Sequence, residues 1–329
     1  MKKLINNPKD VVSEMLKGLV YANPELEYFP GAEVIARKKC KDSTKVGLVS
    51  GGGSGHEPAH AGYVGKGMLD AAVAGNVFAS PSPDRIIQGI KAADNGNGVL
   101  LIIKNYSGDI MNFSLAIELM EMEGINVESV IVKDDVAVPD STYSSGRRGI
   151  AGTVFVHKLA GAAAECGYDL AGVRGIAEKT VANVRSMGMA LTSCTLPGAG
   201  HVGFLLEENE MEIGMGIHGE PGVERTEVKS AKEAARALID RILKDYDYSG
   251  SEVAMMVNGL GGTPLMELYI MNYELSLLLN ERGIHIYRSM VGNYMTSLEM
   301  AGCSVSLLKL DNEMKKLLDY PCDAPSFRM

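Results

Sequence analysis

The sequence has no tryptophan, six histidines, six phenylalanines and five cysteines. Cys40, Cys166, Cys194, Cys303 and Cys322 are far apart, odd in number and never paired as C-x-x-C. A disulfide framework and a cysteine zinc module are thereby excluded, and the thiols read as small buried hydrophobes. No metal site is expected. Nor is there a stretch of about 20 apolar residues, the length a membrane span needs. The opening Met1-Lys2-Lys3-Leu4-Ile5-Asn6-Asn7-Pro8 turns polar before a signal-peptide core can form, so a soluble, cytoplasmic protein is expected. Basic residues are also in deficit: 32 Lys and Arg against 41 Asp and Glu give a net charge of -9. The lack of clustered cations to neutralise phosphates argues against a nucleic-acid surface, and a small molecule or another protein is the expected partner.

What is plentiful is glycine, with 38 residues, much of it in segments that follow apolar runs. There the backbone must turn tightly or approach a ligand. Hydrophobic content of 46% and charged content of 22% match an ordinary globular chain, and 329 residues suffice for two domains. A first helix is expected from an Asn7 cap and Pro8 onward, with Val11, Val12, Met15, Leu16 and Leu19 at helical spacing. Val46–Ser50 reads as a buried strand that gives way to a loop, Gly51-Gly52-Gly53-Ser54-Gly55-His56-Glu57-Pro58. Val99–Ile103 reads as a second such strand, ending in Lys104-Asn105-Tyr106-Ser107-Gly108-Asp109, and Asn126–Lys133 as a third. Strands alternating with helices specify an α/β fold with a largely parallel sheet, whose ligands belong at strand carboxyl ends.

Beyond the Arg147-Arg148 loop, residues 150–190 read as two long helices. Gly203–Leu206 and Met211–His218 then read as the two strands of a β-hairpin. Ser230 and Glu233 form a capping box for a helix to about Lys244, Val253–Val257 is a strand, and Pro264–Arg282 is a helix stopped by Gly283. The reading is thus two α/β domains with parallel or mixed sheets, residues 1–188 and 189–329.

The Gly51–Pro58 segment fits neither known phosphate loop. No Gly-Lys-Ser/Thr is present, and G-x-G-x-x-G fails because His56 stands where the third glycine belongs. A titratable group thus sits at the tip, as either a functional base or a surface histidine of a tight turn. Asp109, beside the first loop if the two strands pair, can orient a histidine or cap its own turn. In Met211–His218, alternation places Glu212, Gly214, Gly216 and His218 on one face of a strand. That face is a trough of bare backbone leading to one imidazole, or a glycine run managing edge twist.

Five ordered segments carry a family resemblance: Gly51–Pro58, Gly62–Leu69, Val77–Pro81, Lys104–Asp109 and Gly216–Gly222. They resemble the K subunits of dihydroxyacetone kinases over nearly the whole chain. The resemblance implies that His218 adds to the substrate ketone as a covalent hemiaminal. It also implies that His56, helped by Asp109, takes the proton of the reacting hydroxyl. By the same resemblance Gly53, Ser54, Gly55, His56, Ser80, Lys104, Gly108, Asp109 and His218 form the dihydroxyacetone site. A helical nucleotide domain is not found before Met329, so the implied system is a split one. In it this chain carries no cofactor, and a separate L subunit holds ADP and magnesium and receives phosphate from the phosphotransferase system. A homodimer is implied, and no membrane contact. A related alternative within the resemblance is a dihydroxyacetone sensor that coactivates a transcription regulator.

Overall fold

The computed structural model describes residues 2–38, 44–139, 146–198 and 205–329. The chain opens with α1 (Val11–Ala22), then β1 (Leu26–Phe29), β2 (Val34–Arg37), β3 (Gly47–Ser54), β4 (Ala71–Val77), α2 (Pro83–Ala93), β5 (Val99–Lys104), α3 (Ser107–Met122) and β6 (Val127–Val132). Two helices, α4 (Thr153–Glu165) and α5 (Leu170–Asn183), lead into β7 (Val184–Ala190) and the pair β8 (Glu210–Ile213) and β9 (Glu224–Glu227). The rest is α6 (Ala231–Asp245), β10 (Glu252–Gly259), α7 (Leu265–Glu281), β11 (His285–Gly292), β12 (Gly302–Leu310), α8 (Asn312–Asp319) and a ribbon of β13 (Asp323–Ala324) and β14 (Phe327–Arg328).

Two six-stranded sheets result, ordered β1-β2-β4-β3-β5-β6 and β11-β10-β12-β7-β8-β9. In the first, β3 pairs in parallel with both β4 and β5, and β5 with β6. The chain moves from β3 to β4 on one side and then to β5 on the other. This reversal makes a crevice at the carboxyl ends of three adjacent strands, the place where open α/β sheets bind ligands. The second sheet is mixed, with β10 parallel to β11 and antiparallel to β12.

Strand parity decides where each face is buried. Val99, Leu101 and Ile103 pack outward against α2 and α3, whereas Leu100 and Ile102 point inward. Likewise Val253, Met255 and Val257 face α6 and α7, while Ala254 and Met256 point inward. The two inward faces share one core with α4, α5 and α8, so the layers run α/β/α/β/α. Each Val, Leu, Ile or Met side chain so removed from water contributes about 1.5–3 kcal/mol. Helix α4 is buried on every side from Thr153 to Ala164 because it sits in this middle layer, and its polar His157 and Lys158 find partners there in His60 and the Leu317 carbonyl.

Several local expectations are refined. Helix α1 begins at Val11, because the Asn7 side chain and carbonyl instead close a turn by accepting from the Lys9 and Asp10 amides. The glycine run is not a loop: β3 continues through Gly51–Ser54, since the ladder to β4 extends to that point. Residues 184–190 are strand β7 rather than helix, and they belong wholly to the second sheet, so the expected boundary at 188 falls inside a strand. The C-terminal ribbon also returns to the first half, where Lys66 bridges Asp323. The hairpin partner of β8 is β9, downstream; Leu205 and Leu206 lie outside strands, and Gly203 and Phe204 outside the described residues. The capping box of Ser230 and Glu233 forms as expected. Cys194, Cys303 and Cys322 are buried, but Cys166 is exposed, because it caps the end of α4 where the helix leaves the core. Cys40 lies outside the described residues. No helix among the described residues is long and apolar enough to cross a membrane.

Candidate functional site

Three strand ends of the first sheet and two loops of the second converge on one buried cluster. Strand β3 delivers Gly52 to Ser54 and then His56. The turn after β4 delivers Phe78 and Ser80, and the end of β5 with the first turn of α3 delivers Lys104, Tyr106 and Asp109. From the second sheet come His218, between β8 and β9, and Thr296, between β11 and β12. Gly52, Gly53 and Gly55 are required here. A Cβ on Gly53 would stand 2.6 Å from Ala79 N and 2.8 Å from the Phe78 carbonyl carbon. Gly52, at φ +152°, turns its bare face to Lys104 Nζ and Asp109 Oδ2. Gly53→Ala is accordingly expected to lower stability by about 1–3 kcal/mol, read as a Tm decrease, because backbone must shift to admit the methyl group.

His56 is fully buried, not a surface histidine. Its Nδ1 donates to the Thr296 carbonyl at 2.7 Å, which leaves the Nε2 lone pair free. Burial, and then the charge of Lys104, push its pKa well below the ordinary value, so the ring is neutral. Burial also lowers the Lys104 pKa, although Asp109 opposes that, and raises the Asp109 pKa against the pull of Lys104 and a Ser80 hydrogen bond. Among the described residues, His56 Nε2, Lys104 Nζ, Asp109 Oδ1 and Tyr106 OH are buried with no hydrogen-bond partner. Orphaned polar atoms cost about 1–3 kcal/mol each, so four at one place mark a site built for a polar guest.

His218 does not end a long strand as its alternation suggests. Strand β8 stops at Ile213, and Gly214 turns the chain at φ +83° while Arg148 Nη2 donates to its carbonyl at 2.8 Å. Met215 and Ile217 are buried as expected, yet as anchors of a loop rather than as one face of a strand. Ile217 enters the middle core and thereby fixes the next residue. The His218 ring is boxed by Tyr106, His56 and Phe78, with centroids at 4.6, 4.8 and 5.3 Å. Its Nδ1 donates to Glu220 Oε1 at 3.0 Å, which presents Nε2 as the free nitrogen.

Of the residues singled out in the sequence, Gly53, His56, Lys104, Asp109 and His218 meet here, and Gly108 is close enough to Ser80 that a Cβ would stand 2.8 Å from its Oγ. Ser54 and Gly55 line the same strand end with their polar groups already engaged. The Ser54 hydroxyl donates to Gly75 O, and the Gly55 amide donates to the Glu57 carboxylate. Sequence reasoning missed Phe78, Tyr106, Glu220 and Thr296. Glu220 had a local signal, an acid two residues from a histidine in a glycine turn; Thr296 had none, lying 240 residues from His56. The expectation from sequence that the histidines form no H-x-x-x-H or H-E-x-x-H pairing is corrected by His56-Glu57-Pro58-Ala59-His60, which has the spacing of zinc hydrolases. That motif acts from a helix. Here Pro58 sits in a turn, and the rings diverge, His56 to Thr296 and His60 to His157 at 3.0 Å. No group of three or more His, Cys, Asp or Glu suited to a metal occurs among the described residues. A separate cavity of about 460 Å³ lies behind Gly52–Ser54, against α1, and none of His56, Lys104, Asp109 or His218 lines it.

Fold and site define a two-sheet α/β protein with a closed, polar-lined crevice and a histidine presented to it by its neighbouring sheet. The Dak1 domain pattern matches residues 17–326, and the chain belongs to that family. It is 52% identical, over 98% of its length and 99% of the relative's, to the PTS-dependent dihydroxyacetone kinase 1, dihydroxyacetone-binding subunit DhaK, of Listeria innocua. Among solved structures it superposes with TM-score 0.90 and 38% identity on the dihydroxyacetone kinase of C. freundii, covering 99% of this chain and 60% of that one. It superposes equally, at TM-score 0.90 and 35% identity, on the dihydroxyacetone kinase operon co-activator DhaQ, covering 95% of this chain and 97% of that one.

Proposed function

We propose that this chain is the dihydroxyacetone-binding subunit of a phosphotransferase-system-dependent dihydroxyacetone kinase. The observation that carries the reading is the set of four partnerless buried polar atoms beside a histidine whose Nε2 is free. A three-carbon ketone with two hydroxyls matches such a set. His218 Nε2 bonds to the carbonyl carbon, the carbonyl π pair becomes an alkoxide that takes a proton from solvent, and the ring returns its Nδ1 proton to solvent as the neutral hemiaminal forms. Glycerol has no carbonyl and forms no such bond, so capture selects the substrate. Lys104 and Asp109 hold the hydroxyls, within a shell that includes Gly53, Ser54, Gly55, Ser80 and Gly108. His56 Nε2, neutral and buried, accepts the proton of the hydroxyl that attacks phosphorus, with Asp109 assisting.

The phosphoryl group comes from a separate L subunit that carries ADP and magnesium and is recharged by a phosphoprotein of the phosphotransferase system. The 52% identity to such a subunit over nearly both whole chains supports this split arrangement. The protein acts as a homodimer in the cytoplasm. The fold match to the co-activator favours one rival, a sensor that captures dihydroxyacetone without passing it on. Reconstitution separates them. The chain with an L subunit, the general phosphotransferase proteins and phosphoenolpyruvate is expected to yield dihydroxyacetone phosphate in a coupled assay. Substrate capture without any turnover in that mixture would replace the kinase reading by the sensor.

A further inference from the structure

The side of His218 away from the substrate crevice is occupied by charged groups that neither the bound sugar nor the proton transfer uses. Glu220 grips the histidine twice: Oε1 accepts from the ring Nδ1 at 3.0 Å and Oε2 from the His218 backbone amide at 2.9 Å. Its own carbonyl accepts from the Gly216 amide at 3.1 Å, closing the loop on itself. Arg148 stands behind it. Its Nε donates to Asp135 Oδ2 at 2.8 Å and its Nη2 to the Gly214 carbonyl at the same distance. Asp135 is almost wholly buried and is held in turn by the Ala137 amide at 3.0 Å. Gly216 shows how tightly the groups meet, because a Cβ there would collide with both Glu220 Oε2 and Arg148 Nη1.

We propose that Glu220, with the Arg148–Asp135 pair close behind it, is the positioning residue that selects the nucleophilic tautomer of His218. The role rests on the covalent reading above. An imidazole free in solution carries its proton on either nitrogen, and only the form with Nδ1–H has a lone pair on Nε2. A carboxylate accepting from Nδ1 fixes that form and stabilises the positive charge that grows on the ring as Nε2 bonds to the ketone carbon. Glu220 is equipped for this. Burial acts to raise its pKa, but the hydrogen bond and charge of His218 outweigh burial and bring it to about 2, so it stays ionised. Arg148, fixed by Asp135 and the Gly214 carbonyl, keeps its positive charge close to that carboxylate.

Nitrogen-15 NMR of the ligand-free protein reads the tautomer directly. Wild type is expected to show His218 protonated at Nδ1 and bare at Nε2. Glu220→Gln can accept at only one of its two positions, so the ring is expected to become a tautomer mixture. The concentration of dihydroxyacetone for half-maximal adduct, read by intact mass, should then rise at least about tenfold. The kcat at saturation should change little, because the transferred phosphate meets the other end of the sugar. Glu220→Asp should recover part of the loss, and Gly216→Ala, which leaves every charge in place, should reproduce it. An unchanged Nδ1–H tautomer together with unchanged adduct formation in Glu220→Gln overturns the proposal. Absence of any adduct on wild type would instead strike the covalent reading, and the tautomer measurement still decides the role of Glu220.

Discussion

Intact-mass spectra of His218→Ala soaked in dihydroxyacetone should show only the unmodified chain, while wild type gains the full mass of one substrate with no loss of water. Addition without dehydration follows from an imidazole nitrogen having no second proton to lose as water, unlike a lysine amine. The variant should remain folded. Its loop is anchored by Met215 and Ile217 and by the Glu220 bond to the residue-218 backbone amide, none of which needs the ring. Turnover in the reconstituted system should fall by about 10²–10⁴-fold, since an untethered ketone loses the orientation that covalent attachment provides. A variant that keeps the added mass, or that turns over within a few fold of wild type, would remove His218 from the centre of the mechanism.

The second large effect belongs to His56. Asparagine there can still donate to the Thr296 carbonyl, so the turn that follows β3 should survive, but the lone pair at the Nε2 position is lost. His56→Asn is therefore expected to form the adduct at near-normal dihydroxyacetone concentrations while kcat drops by about 10²–10⁴-fold. The pH profile adds an independent check. The folded-state pKa of His56 lies well below the ordinary value because of burial and then Lys104, so the base stays neutral on mild acidification. As pH falls, kcat should hold through the usual histidine range near 6.5 and fail only below it. Lys104→Met removes the second of those causes and should move the acid limb to higher pH, whatever it does to substrate affinity. A wild-type limb at or above pH 6.5 would show that His56 is not the group that loses its base form.

These two histidines also show how unevenly the molecule could be read from its sequence. His56 was visible because it interrupts a glycine pattern at a strand end, and the strand itself was visible because Val46–Ser50 is an apolar run. That the glycines continue the strand was not, because their ladder to β4 and their close approach to Phe78 and Ala79 depend on residues more than 20 positions away. His218 was visible for a reason the structure revises. Alternation from Met211 to Ile217 reports burial of Met215 and Ile217 correctly, but Glu212, Gly214 and Gly216 are buried as well, because beyond Ile213 the segment is a loop pinned into a core rather than a strand with one open face. The boundary at 188 falls inside β7 because α5 (Leu170–Asn183) passes directly into β7 (Val184–Ala190) with no linker, and Val184 packs with α5 in the shared middle core.

By itself the sequence determined the local elements and the chemistry they carry. The strand at Val99–Lys104, the capping box that starts α6 and the glycine that ends α7 follow from side-chain period and backbone freedom within a few residues. The histidines and acids able to act follow from residue type. Only the tertiary structure decided that His56 and His218, on different sheets, face each other with ring centroids 4.8 Å apart. It alone decided that Thr296 and Glu220 leave both Nε2 atoms free, and that Lys104 Nζ and Asp109 Oδ1 are buried without hydrogen-bond partners. Tautomer, pKa and orphaned hydrogen bonds are set by neighbours in space under low dielectric, and here those neighbours lie up to 240 residues apart.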